Sequence, residues 1–115
     1  MPWKVIASTR YALRGLRFLL EERNARMLAA GTLLTVAAGG YFGLAALEWC
    51  AVLLAMTALW VAEGMNSALE RLTDLVSPGF HPLAGKAKDI AAGAVMIALI
   101  AAVSIGAIIF GPRLV

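Results

Sequence analysis

Charged residues are missing from long stretches of this 115-residue chain, and that absence constrains it more than any other feature. Residues 27–47 are 21 positions without a charge, and residues 90–112 are 23. A third apolar stretch, 49–69, is interrupted only by Glu63. An α-helix rises about 1.5 Å per residue, so about 20 apolar residues cross a hydrocarbon core about 30 Å thick. Ala and Leu are abundant and β-branched residues sparse, which suits helix. The expectation is therefore one all-α membrane domain over residues 1–115, with transmembrane helices over about 27–47, 49–72 and 90–110. Composition agrees: 62% of the residues are hydrophobic and 15% charged, against about 45–50% and about 25% in a soluble domain. A soluble domain of this size has too much surface to hide so much apolar side chain. The single cysteine, Cys50, excludes a disulfide scaffold and reads as a small apolar residue at the extracytoplasmic end of the second span.

Residues 1–26 are of another kind. Leu13, Leu16 and Leu20 recur at helical spacing, and Arg10, Arg14 and Arg17 do so on another face. That pattern predicts a basic amphipathic helix lying on the membrane surface. It lacks the short apolar run and small-residue cleavage site of a signal peptide. Six basic residues precede the first span, and Arg71, Lys86 and Lys88 lie between the second and third. By the positive-inside rule, the N-terminal helix and the 71–89 segment face the cytoplasm and the C-terminus faces outward. The net charge of +3 is assigned to lipid headgroups and topology rather than to nucleic acid. Small residues in the third span (Ala91, Ala92, Gly93, Ala94) and Gly39, Gly40 and Gly43 in the first either allow close helix approach or merely fill the helices.

Chemistry is sought where polarity is costly. An ionisable group at membrane depth costs roughly 2.5–3.5 kcal/mol on insertion scales. Glu63 follows 14 uncharged residues, and Asn66, Ser67, Glu70 and Asp74 follow it at offsets of 3, 4, 7 and 11. On a helix these form one stripe, climbing from the hydrophobic layer to the cytoplasmic surface. Leu59, Val61, Met65, Leu69 and Leu72 are expected on the other faces. One carboxylate at the hydrocarbon boundary could take a proton from a hydroxyl, while another nearer water holds a hard cation. The bland alternative is a polar seam that glues helices together.

A second cluster, His81-Pro82-Leu83-Ala84-Gly85-Lys86-Ala87-Lys88-Asp89, opens the third span, with Pro78, Gly79 and Pro82 marking a turn. A lysine there either neutralises phosphate or snorkels as a topology marker. The lone His81 reads as a structural hydrogen-bonder, since no second His accompanies it to make a transition-metal site. The run Glu21-Glu22-Arg23-Asn24 is either a solvated connector or the source of a further carboxylate at the level of Glu70. No Walker A or protein-kinase glycine loop occurs.

The run Ala62-Glu63-Gly64-Met65-Asn66-Ser67-Ala68-Leu69-Glu70, then Asp74, then the His81–Asp89 motif with Ala91-Ala92-Gly93-Ala94, resembles the prokaryotic diacylglycerol kinase family, which includes undecaprenol kinases. The resemblance extends to Arg14-Gly15-Leu16 and Glu22-Arg23-Asn24. It implies a homotrimer of three-span protomers in the bacterial inner membrane, with active sites shared between protomers. It also implies transfer of the γ-phosphate of ATP, with Mg²⁺, to a lipid hydroxyl at the cytoplasmic face. Carried over, Glu63 is the general base with Asn66 its polar neighbour, and Glu70 and Glu22 are the metal carboxylates. Lys88 and Asp89 contact the nucleotide, which Gly79, Phe80 and His81 also line. Lys4 and Tyr11 are further nucleotide contacts on the surface helix, and Arg14 and Ser67 are substrate-side candidates.

Two departures leave choices open. The spacing from Gly15 to Glu22 is one residue short, so either Glu21 or Glu22 is the ligand, Glu22 being favoured by the Glu-Arg-Asn run. Met27 and Leu28 stand where undecaprenol kinases often carry a histidine. The wording around His81 and Lys88 leans to undecaprenol kinases and Asn66-Ser67-Ala68 to diacylglycerol kinases. The alternative outside enzymology is a small oligomeric channel or transporter subunit whose Glu63–Glu70 stripe lines an ion path.

Overall fold

A computed structural model describes residues 2–115 as four α-helices: α1 (Pro2–Leu20), α2 (Arg23–Phe42), α3 (Ala46–Val76) and α4 (Pro82–Leu114). There is no strand among the described residues. Each boundary has a local cause, and each differs from the span expected from apolarity alone.

The surface helix ends at Leu20 rather than at residue 26. Glu21 and Glu22 form the turn, their amides donating to Phe18 O and Leu19 O at 3.2 and 3.0 Å. Glu22 is the extended N-cap of α2, so its negative charge sits at the positive end of that helix dipole. Arg23 and Arg26 thus belong to α2, which starts before the apolar stretch does. At its other end α2 stops at Phe42, because Gly43 turns into the left-handed region (φ 67°) and gives its amide to Gly39 O at 3.0 Å. Glycine enters that region without steric cost. The first span expected over 27–47 therefore loses its last five residues to the turn and the start of α3.

α3 and α4 overrun their expected spans at both ends, with 31 and 33 residues. His81 caps α4, its Nδ1 accepting from the Leu83 amide at 3.1 Å, and Pro82 occupies the first turn, where no amide hydrogen is needed. Pro112 lies inside α4 rather than ending it. Within the described residues, α3 and α4 are the two helices long and apolar enough to cross a membrane. α2, which includes Arg26 and three glycines, does not reach the same apolarity, so by this measure two of the three expected spans are supported.

α3 and α4 form an antiparallel hairpin. Leu44, Val52 and Ile109 are buried at the end away from His81, with Trp49, Met56 and Phe110 against them. Arg113 closes that end with a two-pronged bond to Glu48, at 2.8 and 2.9 Å. α2 is tied alongside by Trp60 Nε1, which donates to Thr32 Oγ1 at 3.0 Å. Trp49 lies so close over Gly39 that an added Cβ would meet its ring at 2.5 Å. By contrast, an added Cβ at Gly40 or Gly93 meets nothing within 4 Å, so of these glycines only Gly39 serves close packing within the protomer. α1 is exposed along almost its whole length, with Leu19 at its end reaching Gly64 of α3.

The buried face of α3 reads Val52, Ala55, Leu59, Glu63, Asn66. Leu59 is therefore on the Glu63 face, one turn deeper, and not among the opposite-face residues; an offset of four returns to the same side of a helix. Val61, Met65, Leu69 and Leu72 are exposed, as expected.

Candidate active site

Glu63 and Asn66 are the buried polar residues of the described chain, at 7% and 8% exposure. From Glu63 a ladder of polar pairs climbs α3. Asn66 Nδ2 donates to Glu70 Oε1 at 3.3 Å, and one turn further Lys88 Nζ of α4 donates to Asp74 Oδ1 at 2.6 Å. Lys88 lies outside the apolar stretch of α4, and the Asp74 carboxylate beside it holds its ammonium above the ordinary lysine range. To one side, Arg71 pairs with Glu22 at the head of α2. Of the adjacent carboxylates 21 and 22, it is Glu22 that faces α3. Glu70 and Glu22 both lie near enough to Glu63 to repel its carboxylate.

Two cavities flank the ladder. The larger, of about 540 Å³, is a groove between α2, α3 and α4. Met27, Leu28, Leu59, Val95 and Leu99 make it apolar, and Glu63 and Asn24 supply its polar wall. The smaller, about 150 Å³, lies at the α3–α4 turn and gathers Asp74, Gly79, Phe80, His81 and Lys88. Four of the residues expected around a nucleotide thus meet in one place, although Phe80 is 95% exposed and the His81 Nδ1 is engaged as a helix cap. Asp89 follows Lys88 in α4 but does not line this cavity. Ser67 is half-buried beside Asn66 and makes no side-chain hydrogen bond among the described residues.

Lys4, Tyr11 and Arg14 are not brought to either cavity within this protomer. They interact along α1 itself: Lys4 lies over the Trp3 ring at 5.5 Å and Arg14 over the Tyr11 ring at 5.6 Å. Three contacts were not read from the sequence. Local spacing marks Arg71 as a basic residue of the cytoplasmic segment and Asn24 as part of a connector, and says nothing of Glu48 with Arg113. All three join residues 39 or more positions apart, and no local spacing reports such pairs.

Residues 10–110 match the prokaryotic diacylglycerol kinase family. The chain belongs to that family. It is 37% identical over 93 residues to the undecaprenol kinase of Bacillus subtilis, covering 81% of this chain and 76% of the relative. It is 35% identical over 118 residues to a diacylglycerol kinase of Synechocystis, covering 97% of this chain and 67% of the relative. With the diacylglycerol kinase of Escherichia coli it shares 30% over 101 residues, 87% and 83% of the two chains. As a member of the prokaryotic diacylglycerol kinase family the chain is a lipid kinase and a membrane protein, which removes the channel alternative.

The family implies a nucleotide co-substrate, and the donor set can be tested against a nucleotide-bound cation. Among the described residues no three His, Cys, Asp or Glu side chains converge to cage a metal ion. Mg²⁺ does not require such a cage; it is held by one or two carboxylates, water and substrate phosphates. Glu70 on α3 and Glu22 on α2, hard oxygen donors that both lie near Glu63, fit that need.

Proposed function

We propose that this kinase transfers the γ-phosphate of ATP to the hydroxyl of a membrane lipid alcohol, undecaprenol or a diacylglycerol, at the cytoplasmic face of the bacterial inner membrane. The observation that carries this reading is a buried carboxylate, Glu63, at the polar wall of an apolar groove. Depth along α3 supports it. With Trp49 at one boundary of a layer about 30 Å thick, Glu63 lies about 21 Å in and Glu70 about 31 Å in. Glu63 is then still in hydrocarbon, while Glu70 and Asp74 have reached the interface. A lipid hydroxyl arrives along the groove, and the nucleotide arrives from water at the Lys88 end. α2 is the third span, short because its polar head starts at the interface. The α1 helix and the turn before α4 are cytoplasmic, and the protomers assemble as homotrimers.

In this reading Glu63 accepts the proton of the lipid hydroxyl as its oxygen attacks the γ-phosphorus. The bond from phosphorus to the bridging oxygen breaks, and ADP leaves with that electron pair. Phosphoryl transfer depends on positioning and charge neutralisation more than on covalent chemistry. Lys88 neutralises phosphate once its pairing with Asp74 is exchanged for the nucleotide. Asn66 orients Glu70 through its amide, and Arg71 holds Glu22 toward α3. Mg²⁺, when bound by Glu70 and Glu22, supplies neutralisation of the phosphate oxygens. Lys4 and Tyr11 reach a nucleotide only from α1 of a neighbouring protomer, and Arg14 and Ser67 are placed on the lipid side.

The similarity to the B. subtilis undecaprenol kinase favours undecaprenol. The test is incorporation of labelled phosphate from ATP into undecaprenol and diacylglycerol by the purified protein, with Glu63→Gln in parallel. Glu63→Gln is expected to fold normally and lose at least about 100-fold in kcat, the range of general-base catalysis. Near wild-type lipid phosphorylation by that variant would sink the base assignment.

A further inference from the structure

Asn24 stands in the first turn of α2, two residues after the Glu22 cap. Its side chain lines the same groove as Glu63 and lies near the Glu63 carboxylate, without a formed hydrogen bond between them in this structure. The other nearby polar groups are engaged elsewhere: the Asn66 amide with Glu70, Arg71 with Glu22 and Lys88 with Asp74. A carboxylate at 7% exposure with no donor would have its two oxygens undirected and incompletely satisfied. A general base needs one oxygen held within about 2.6–3.2 Å of the proton it takes.

We infer that Asn24 is a positioning residue whose side-chain amide holds one oxygen of the Glu63 carboxylate and leaves the other turned into the groove for the lipid hydroxyl. The inference rests on Glu63 being the base. An amide suits the task because it directs a carboxylate without neutralising it; a cation at the same point would favour the ionised form so strongly that the base would lose its pull on a proton. Because Asn24 belongs to α2, the base on α3 is aimed from a second helix. The same turn of backbone sets both Glu22 and Asn24, so the cation side and the base side of the site move together.

The experiment compares Asn24→Ala, Asn24→Asp and Asn24→Gln with wild type and Glu63→Gln, each as the full chain in lipid nanodiscs. kcat and both KM values are measured with ATP and undecaprenol, alongside thermal unfolding. Asn24→Ala is expected to lower kcat about 10- to 100-fold, the cost of a misaimed reacting group, with both KM values within about twofold. Asn24→Asp, equal in shape but repelling Glu63, is expected to lose more. Asn24→Gln, which keeps a donor, is expected to recover part of the loss. Wild-type kcat in Asn24→Ala or Asn24→Asp overturns the inference, as does a loss confined to KM. If the Ala variant does not fold, the Asp variant decides alone. An active Glu63→Gln instead condemns the base assignment beneath; an inactive Glu63→Gln beside a fully active Asn24→Ala condemns only the positioning role.

Discussion

Asn66 spends its amide on Glu70 and leaves its Oδ1 buried with no hydrogen-bond partner among the described residues. A buried acceptor without a donor costs about 1–3 kcal/mol, so its place beside Glu63 marks a position where binding chemistry outweighs stability. Lys88 presents the opposite case, an exposed cation with a partner it can exchange. Its ion pair with Asp74 is solvent-facing, and such pairs contribute little to stability. Replacing it should therefore spare the fold and weaken the nucleotide. Lys88→Met is expected to raise the KM for ATP about tenfold or more while the unfolding midpoint stays within a few degrees. An unchanged KM would return Lys88 to the role of topology marker.

At the scale of elements, the glycines of α2 divide by what faces them. Gly39 is covered by the Trp49 ring, whereas Gly40 is open. An added methyl at Gly40 gains helix propensity of up to about 1 kcal/mol. The same methyl at Gly39 must displace an indole, and overpacking of that kind costs about 1–3 kcal/mol. Gly39→Ala should thus unfold at a lower denaturant concentration than Gly40→Ala, with kcat preserved in both; equal midpoints would mean that Trp49 does not hold α2 to α3. Each expected helix has a counterpart among α1 to α4, with ends that differ from the charge-free runs. Charge-free runs report where hydrocarbon is tolerated, and helices continue past them until a Gly43 or a His81-Pro82 stops the backbone. The stripe from Glu63 to Asp74 was legible because it depends only on helical spacing. Asn24 and Arg71 were not, because their partners lie 39 and 49 residues away and only the turns at 21–22 and 43–45 bring them together. Leu59 shares the Glu63 face because an offset of four returns to the same side of a helix, whatever the polarity of the residue.

As a whole molecule the protomer is not self-sufficient. Its accessible surface is 8467 Å², where a compact soluble protein of this mass has about 6,000 Å². Its radius of gyration is 17.2 Å, against about 13 Å for a globular domain of about 100 residues. Lipid and, in the proposed trimer, other protomers cover the difference. The purified kinase in mild detergent is expected to scatter light as about three times its 12.1 kDa protomer; a fully active monomer would refute the shared site. Within that assembly, the bond between Glu48 and Arg113 acquires a mechanical meaning. It joins α3 to α4 at the end remote from the ladder, and about 37 Å of helix separates Arg113 from Lys88. The covalent turn of residues 77–81 joins the same two helices at the Lys88 end, so α3 and α4 are fastened at both tips and form a closed frame. Neither helix can splay from the other without breaking a fastening, so the spacing of the ladder along α3 is kept by a bond made far from it.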